Sequence, residues 1–280
     1  MTLFVNALTQ LDVSLWCPRR GLIGASWQVD AQLDGEVGED GMLFGFDEAK
    51  SWITSRLDTS PDHTLLVPTQ APKLTVQECS EGLCMRTTLP YDFEIRAPRQ
   101  AFTLLPWSEI GIERLARHYS EALTRRPPPR VEAIRLKLRE EQIDGAAYTY
   151  SHGLKRHPGN CQRIAHGHRS RLHIWCDGER SPLLETQWAQ RLDDRYLVAA
   201  EDILDGDATS KEALTIGYRS TQGRFQLRLP RARCDVLPIP TSVEHIAAWL
   251  AEQVARDRGQ GVRVQVFEGI GKGAIAEASP

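Results

Sequence analysis

Apolar and polar positions alternate along GASWQVDAQLDGE (24–36) and again along GHRSRLHIWCDGE (167–179), the period-two rhythm of strands. Both segments open on glycine and close on Asp-Gly-Glu. Farther along, DHTLLV (62–67) matches DDRYLV (193–198), and GIERLARHYSEAL (111–123) matches SVEHIAAWLAEQV (242–254). The last two place apolar residues at helical spacing, and Pro-Thr-Ser introduces the second as a helix start. RLKLREEQIDGAA (135–147) loosely resembles RVQVFEGIGKGA (263–274); Glu141 and Glu268 each close an alternating strand before a small-residue turn.

Matches in the same order indicate a tandem repeat. Each half reads strand, strand, helix or loop, hairpin-like insert, amphipathic helix, strand. The division predicts an α+β fold of two domains, 1–144 and 145–280, each an antiparallel sheet with helices on one face. The inserts are KLTVQECSEGLCMRTTLPYDFEI (73–95) and ALTIGYRSTQGRFQLRLP (213–230). No Gly/Ser/Pro linker marks residue 145, which predicts closely docked halves. The prolines of RRPPPR read as a helix-to-strand connection. Exposed strand edges are usually paired across subunits, so a homo-oligomer is expected.

Composition narrows the function classes. The 280 residues carry a net charge of −3 with no lysine/arginine block, which gives nucleic-acid or membrane-surface binding no electrostatic support. The start MTLFVNALTQLD has no basic segment or long apolar run, so neither signal peptide nor membrane span is expected. Six cysteines lie far apart without zinc-ribbon or Cys-x-x-Cys spacing and read as reduced thiols of a cytosolic protein.

Histidine is where the composition is uneven: His152, His157, His166, His168 and His173 crowd one window. On a strand, His166 and His168 point to one face. With His152 from the neighbouring strand they make a three-histidine set, which suits tetrahedral zinc with one open position. Cys161 stands just ahead of them, where a thiol beside a cation can serve as a base.

The ordered conjunction of YTYSH, CQRIAHGH, Asp193-Asp194, PTSVEHIA and FEGIGKGA resembles the 6-pyruvoyltetrahydropterin synthase family, which includes the 6-carboxytetrahydropterin synthases of the queuosine pathway. The resemblance spans nearly all of 145–280 and implies tunnelling-fold (T-fold) domains assembled into an oligomeric barrel. It implies a lyase acting on 7,8-dihydroneopterin triphosphate or a related pterin, with zinc on His152, His166 and His168. It also implies that Cys161 moves protons and that Glu268 grips the guanidine-like edge of the pterin through paired hydrogen bonds. Four residues separate Cys161 from His166, where the family usually has three.

The first half resembles the same frame without its metal ligands. Overlaying the Asp-Gly-Glu motifs places Thr9, Ile23 and Ala25 where His152, His166 and His168 stand, and Pro18 at Cys161. GMLFGFDEAKSWI (41–53) looks like another family region. Asp62-His63 is kept where the second half has Asp193-Asp194. In the family an Asp-His pair from an adjacent subunit completes a triad with the cysteine. Here the resemblance implies either a site divided between two halves, with Asp62 and His63 completing it, or a first half that is scaffold alone. Two other readings stay open: a pterin-binding module that retains zinc without turnover, and a zinc hydrolase that has no need of Cys161.

Overall fold

In a computed structural model, which describes residues 1–204 and 211–280, the two halves lay down their strands in one shared order. The first comprises β1 (Thr2–Cys17), β2 (Gly21–Gly35), α1 (Phe46–Thr59), β3 (Leu65–Pro68), β4 (Thr75–Cys79), β5 (Gly82–Thr87), β6 (Phe93–Ala97), β7 (Phe102–Leu105), α2 (Ile112–Thr124) and β8 (Val131–Glu140). The second comprises β9 (Ala147–His152), β10 (His166–Cys176), the short β11 (Glu179–Arg180), α3 (Pro182–Leu192), β12 (Arg195–Ala199), β13 (Ala213–Ser220), β14 (Gly223–Pro230), β15 (Cys234–Leu237), α4 (Val243–Arg258), β16 (Val262–Phe267) and β17 (Gly273–Ala278). The main sheets run β7-β3-β1-β2-β8 and β15-β12-β9-β10-β16-β17.

These sheets are mixed, which corrects the expectation of antiparallel ones. β3 lies parallel to β1 and β7 parallel to β3, as β12 does to β9 and β15 to β12. The cause is connectivity: a helix or an insert carries the chain across between these strands, and such crossovers return it in the same direction. The helices do cover one face. Leu11, Val13, Trp27 and Val29 cluster with Ile53, Leu57 and Leu115 of α1 and α2. Tyr150, Leu172 and Ile174 cluster with Leu184 and Trp188 of α3 and Leu250 and Val254 of α4. Each such apolar side chain contributes roughly 1.5–3 kcal/mol on burial.

The inserts do not stand apart. β14 pairs antiparallel with β6, so inserts from both halves form one sheet, β13-β14-β6-β5-β4. Met85 and Ile95 share its core with Ile216 and Leu227. That common core accounts for the missing linker.

The hairpins β1–β2 and β9–β10 also cross closely. Ser14 Oγ bonds Ser151 Oγ at 2.7 Å, and a Cβ on Gly24 would sit 2.1 Å from the Tyr150 carbonyl oxygen. Gly167 comes equally close, its own Cβ position lying 2.7 Å from Gly24 Cα. Strand pairing corrects the overlay at one position. His166 pairs with His152 and Ile23 pairs with Leu15, so Leu15, not Thr9, occupies the place of His152. The segment 153–165 is longer than its counterpart 16–22, and a gapless overlay slips at that point. By this register Ser14 corresponds to Ser151 and Gly24 to Gly167. Like residues therefore meet across the junction, as they do about a two-fold axis.

Candidate metal and proton-transfer site

His152 ends β9, and His166 and His168 begin β10; all three are buried. Their candidate ligand atoms lie within 4.8 Å of one another. Backbone carbonyls orient two of the rings. His152 Nδ1–H donates to Thr241 O (2.9 Å), and His166 Nδ1–H donates to Arg163 O (3.0 Å). A carbonyl can only accept, so both imidazoles carry their proton on Nδ1 and turn a lone pair outward on Nε2. Burial, aided by neighbouring histidines, pushes both well below the ordinary histidine range and keeps them neutral. His152 Nε2 faces His168 Nε2 at 3.2 Å, and His166 Nε2 has no partner among the described residues. Two outward lone pairs that converge with a third imidazole nitrogen suit a cation.

Cys161 sits in the 3-10 turn Asn160–Gln162, with four residues between it and His166. The turn is tightly anchored. Buried Gln162 accepts from Thr221 Oγ1 (2.9 Å) and the Gln222 N–H (2.8 Å), while Tyr218 OH donates to its carbonyl (2.9 Å). Across the junction, His63 from the first half closes on the thiol. The ligand atoms of His63, Cys161 and His166 also fall within 4.8 Å of one another. Asp62 bonds His63 Nδ1 through Oδ2, leaving Nε2 for the thiol side. Burial opposes charge on His63, but Asp62 and Cys161 outweigh it and raise its pKa to about 10. Arg163 secures this junction by donating from Nη1 to Asp62 O (3.2 Å).

Glu268 lies just past β16, with Oε1 4.0 Å from His168 Nε2 and part of its side chain exposed. Glu141 is held elsewhere, by Arg171 Nη2 at 2.9 Å. By register Glu140, opposite Trp27, is the first-half counterpart of Glu268. His173 stacks near Trp175 and Phe267, apart from the cluster.

The family model described as 6-pyruvoyl tetrahydropterin synthase matches residues 145–279, the part that carries the three histidines, Cys161 and Glu268. Over those residues the chain is similar to the 6-pyruvoyl tetrahydropterin synthase family. Among solved structures it is similar to a catalytic-residue mutant of the Plasmodium vivax 6-pyruvoyltetrahydropterin synthase, at 16% identity and TM-score 0.42 over 51% of this chain and 93% of that one. A second Plasmodium vivax structure of the enzyme gives 16% identity and TM-score 0.40 over the same shares. The Plasmodium falciparum enzyme gives 14% and 0.37 over 49% and 90%. No curated protein matches the chain. The match suggests a pterin-metabolising lyase. No helix among the described residues is long and apolar enough to cross a membrane.

Asp193 and Asp194 stay away from Cys161. Asp194 is clamped by Arg20, Nε at 2.9 Å and Nη2 at 2.7 Å. Beside Asp193 and Arg20 lies a cavity of about 510 Å³ lined by Leu15, Ile23, Ala25, Trp27 and Glu140, the first-half counterpart of the histidine site. Residues that sequence reasoning passed over also border the histidines. Thr241, read only as a helix start, supplies the carbonyl for His152. Lys272 and Asp12 approach from the turn after β16 and from β1.

Proposed function

We propose that the chain is a zinc-dependent lyase acting on 7,8-dihydroneopterin triphosphate or a related pterin, with one active site divided between two T-fold domains, 1–144 and 145–280, that descend from a tandem duplication. The observation that carries this reading is Asp62-His63 seated beside Cys161 within a single chain. His152, His166 and His168 would hold the ion, which when bound supplies Lewis-acid polarisation of side-chain hydroxyls.

The chain's own residues account for the rest. Glu268 accepts two N–H bonds from the pterin edge and sets the ring's orientation. Cys161 accepts a proton from the substrate side chain and later returns one. His63 exchanges that proton with the sulfur, while Asp62 fixes the imidazole's tautomer and angle. The anchored turn 160–162 keeps the thiol in reach. The product, whether the 6-pyruvoyl compound, the 6-carboxy compound that would place the protein in queuosine biosynthesis, or a 6-hydroxymethyl compound, follows from how the side chain lies against these groups. A cytoplasmic homo-oligomer that closes a barrel through the outer strands β7, β8, β15 and β17 completes the proposal.

The test is turnover of 7,8-dihydroneopterin triphosphate by zinc-loaded protein, with triphosphate release and pterin products followed by chromatography. Cys161→Ala and His63→Ala should both fail. Full activity of His63→Ala would rule out the divided site. Activity in Cys161→Ala would favour a hydrolase, and binding without release would favour a pterin-binding module.

A further inference from the structure

Asp12 lies on β1, in the half without metal ligands, yet its carboxylate is buried among residues of the other half. Oδ1 stands 3.3 Å from His168 Nδ1, which has no hydrogen bond to any described residue. Ser26 Oγ donates to Oδ1, and Lys272 Nζ donates to Oδ2 at 3.3 Å. The backbone of Asp12 is fixed as well: its N–H donates to Asp62 Oδ1 (2.9 Å), and its carbonyl accepts from the His63 N–H (2.9 Å). Gly269 makes the approach possible, because a Cβ there would lie 2.6 Å from Asp12 Oδ1.

His152 and His166 each give their Nδ1 proton to a carbonyl, and His168 alone lacks such a partner. A carboxylate on the remote nitrogen of a metal-bound histidine fixes its tautomer and strengthens it as a ligand. We infer that Asp12 is the positioning residue for His168, accepting its Nδ1–H so that Nε2 is left for the metal, and that the metal site is thereby completed across the junction between halves. This rests on the zinc reading above and extends it, since it makes the first half a contributor to metal affinity and not only to proton transfer.

The test uses full-length protein stripped of metal and titrated with zinc against a chromophoric chelator. Asp12→Asn keeps the shape and removes the charge, and Asp12→Ala removes both. Affinity should fall about 10–100-fold in each, while Cys17→Ala, in the wall of the first-half cavity, should stay within about threefold. A nitrogen-15 spectrum of the metal-free protein should show His168 protonated on Nδ1 in the wild type, with that population reduced in Asp12→Asn. The tautomer reports on His168 directly, so it decides the matter even if Asp12→Ala fails to fold. Wild-type affinity and an unchanged tautomer in Asp12→Asn would overturn the inference and leave the zinc reading intact. Failure of the wild type to bind zinc would overturn both.

Discussion

The histidine site and its first-half counterpart are built on the same backbone and differ in nearly every side chain that matters. Asp62 Oδ1 accepts from the Asp12 N–H at 2.9 Å, and Asp193 Oδ1 accepts from the Thr149 N–H at 2.8 Å. His63 N–H donates to Asp12 O at 2.9 Å, and Asp194 N–H to Thr149 O at 2.9 Å. His63 and Asp194 share a left-handed backbone, φ 53° and 58°. On this common frame one pocket presents three imidazoles, a thiol and an Asp-His pair. The other presents Leu15, Ile23 and Ala25 with an Arg20–Asp194 clamp. The framework bonds are made by backbone groups and an Asp shared by both pockets, so the chemistry can be removed from one pocket without loss of the fold.

The sharpest way to break the comparison is to remove the chemistry from the active side. Cys161→Ala should lower turnover by about 10²–10⁴-fold, the usual range for a positioned acid–base group. Cys17→Ala, in the wall of the other pocket, should leave turnover unchanged. Equal losses in both would mean that the thiols serve packing. The next effect lies at the crossing of the halves. Gly24→Ala drives a methyl onto the Tyr150 and His168 backbones, where neither side can retreat without breaking strand pairing. A cost of about 3 kcal/mol is expected, read from urea unfolding, with zinc affinity falling in parallel. Unfolding unchanged in midpoint would show that the halves are not packed through this contact.

Much of this comparison could be read from residues in order. Alternation in 24–36 and 167–179 marked β2 and β10, helical spacing marked α2 and α4, and clustering marked the three histidines. The overlay failed at Thr9 because segments 16–22 and 153–165 differ in length, which only strand pairing reveals. The joint sheet was hidden because each insert reads as a closed hairpin, and nothing local says that β14 will seek β6. Asp12 was hidden for a related reason. Within TQLDVSL it reads as an ordinary outward polar position, and it gains a role only because the second half packs over it. Contacts between distant segments carry no periodic signature, whereas side chains on one strand do.

The β16–β17 turn allows a finer test. Gly269 and Gly271 share φ 71°, but only Gly269 faces a crowded neighbour, while a Cβ on Gly271 meets open space. Gly271→Ala should cost about 1–2 kcal/mol from backbone strain alone. Gly269→Ala should exceed it and also weaken zinc binding, because Asp12 must move. Identical effects of the two substitutions on unfolding and on zinc affinity would show that Asp12 has room to shift.

Two further tests concern the charged pairs. His63 is raised from 6.5 to about 10 in the folded protein, with burial opposing and Asp62 and Cys161 prevailing. A raised pKa means that its stabilising contribution is complete below about pH 6.5 and is lost as pH climbs through about 10. Urea midpoints of the wild type should therefore decline across that window, and His63→Gln should flatten the decline. The counterpart pair, Arg20–Asp194, is bidentate, but the arginine side chain is 47% exposed, and water screens its attraction. Arg20→Ala should cost at most about 1 kcal/mol and shrink further in high salt. A larger, salt-independent loss would mean that the arginine holds the second pocket together by packing. The two pockets would then differ in construction as well as in chemistry.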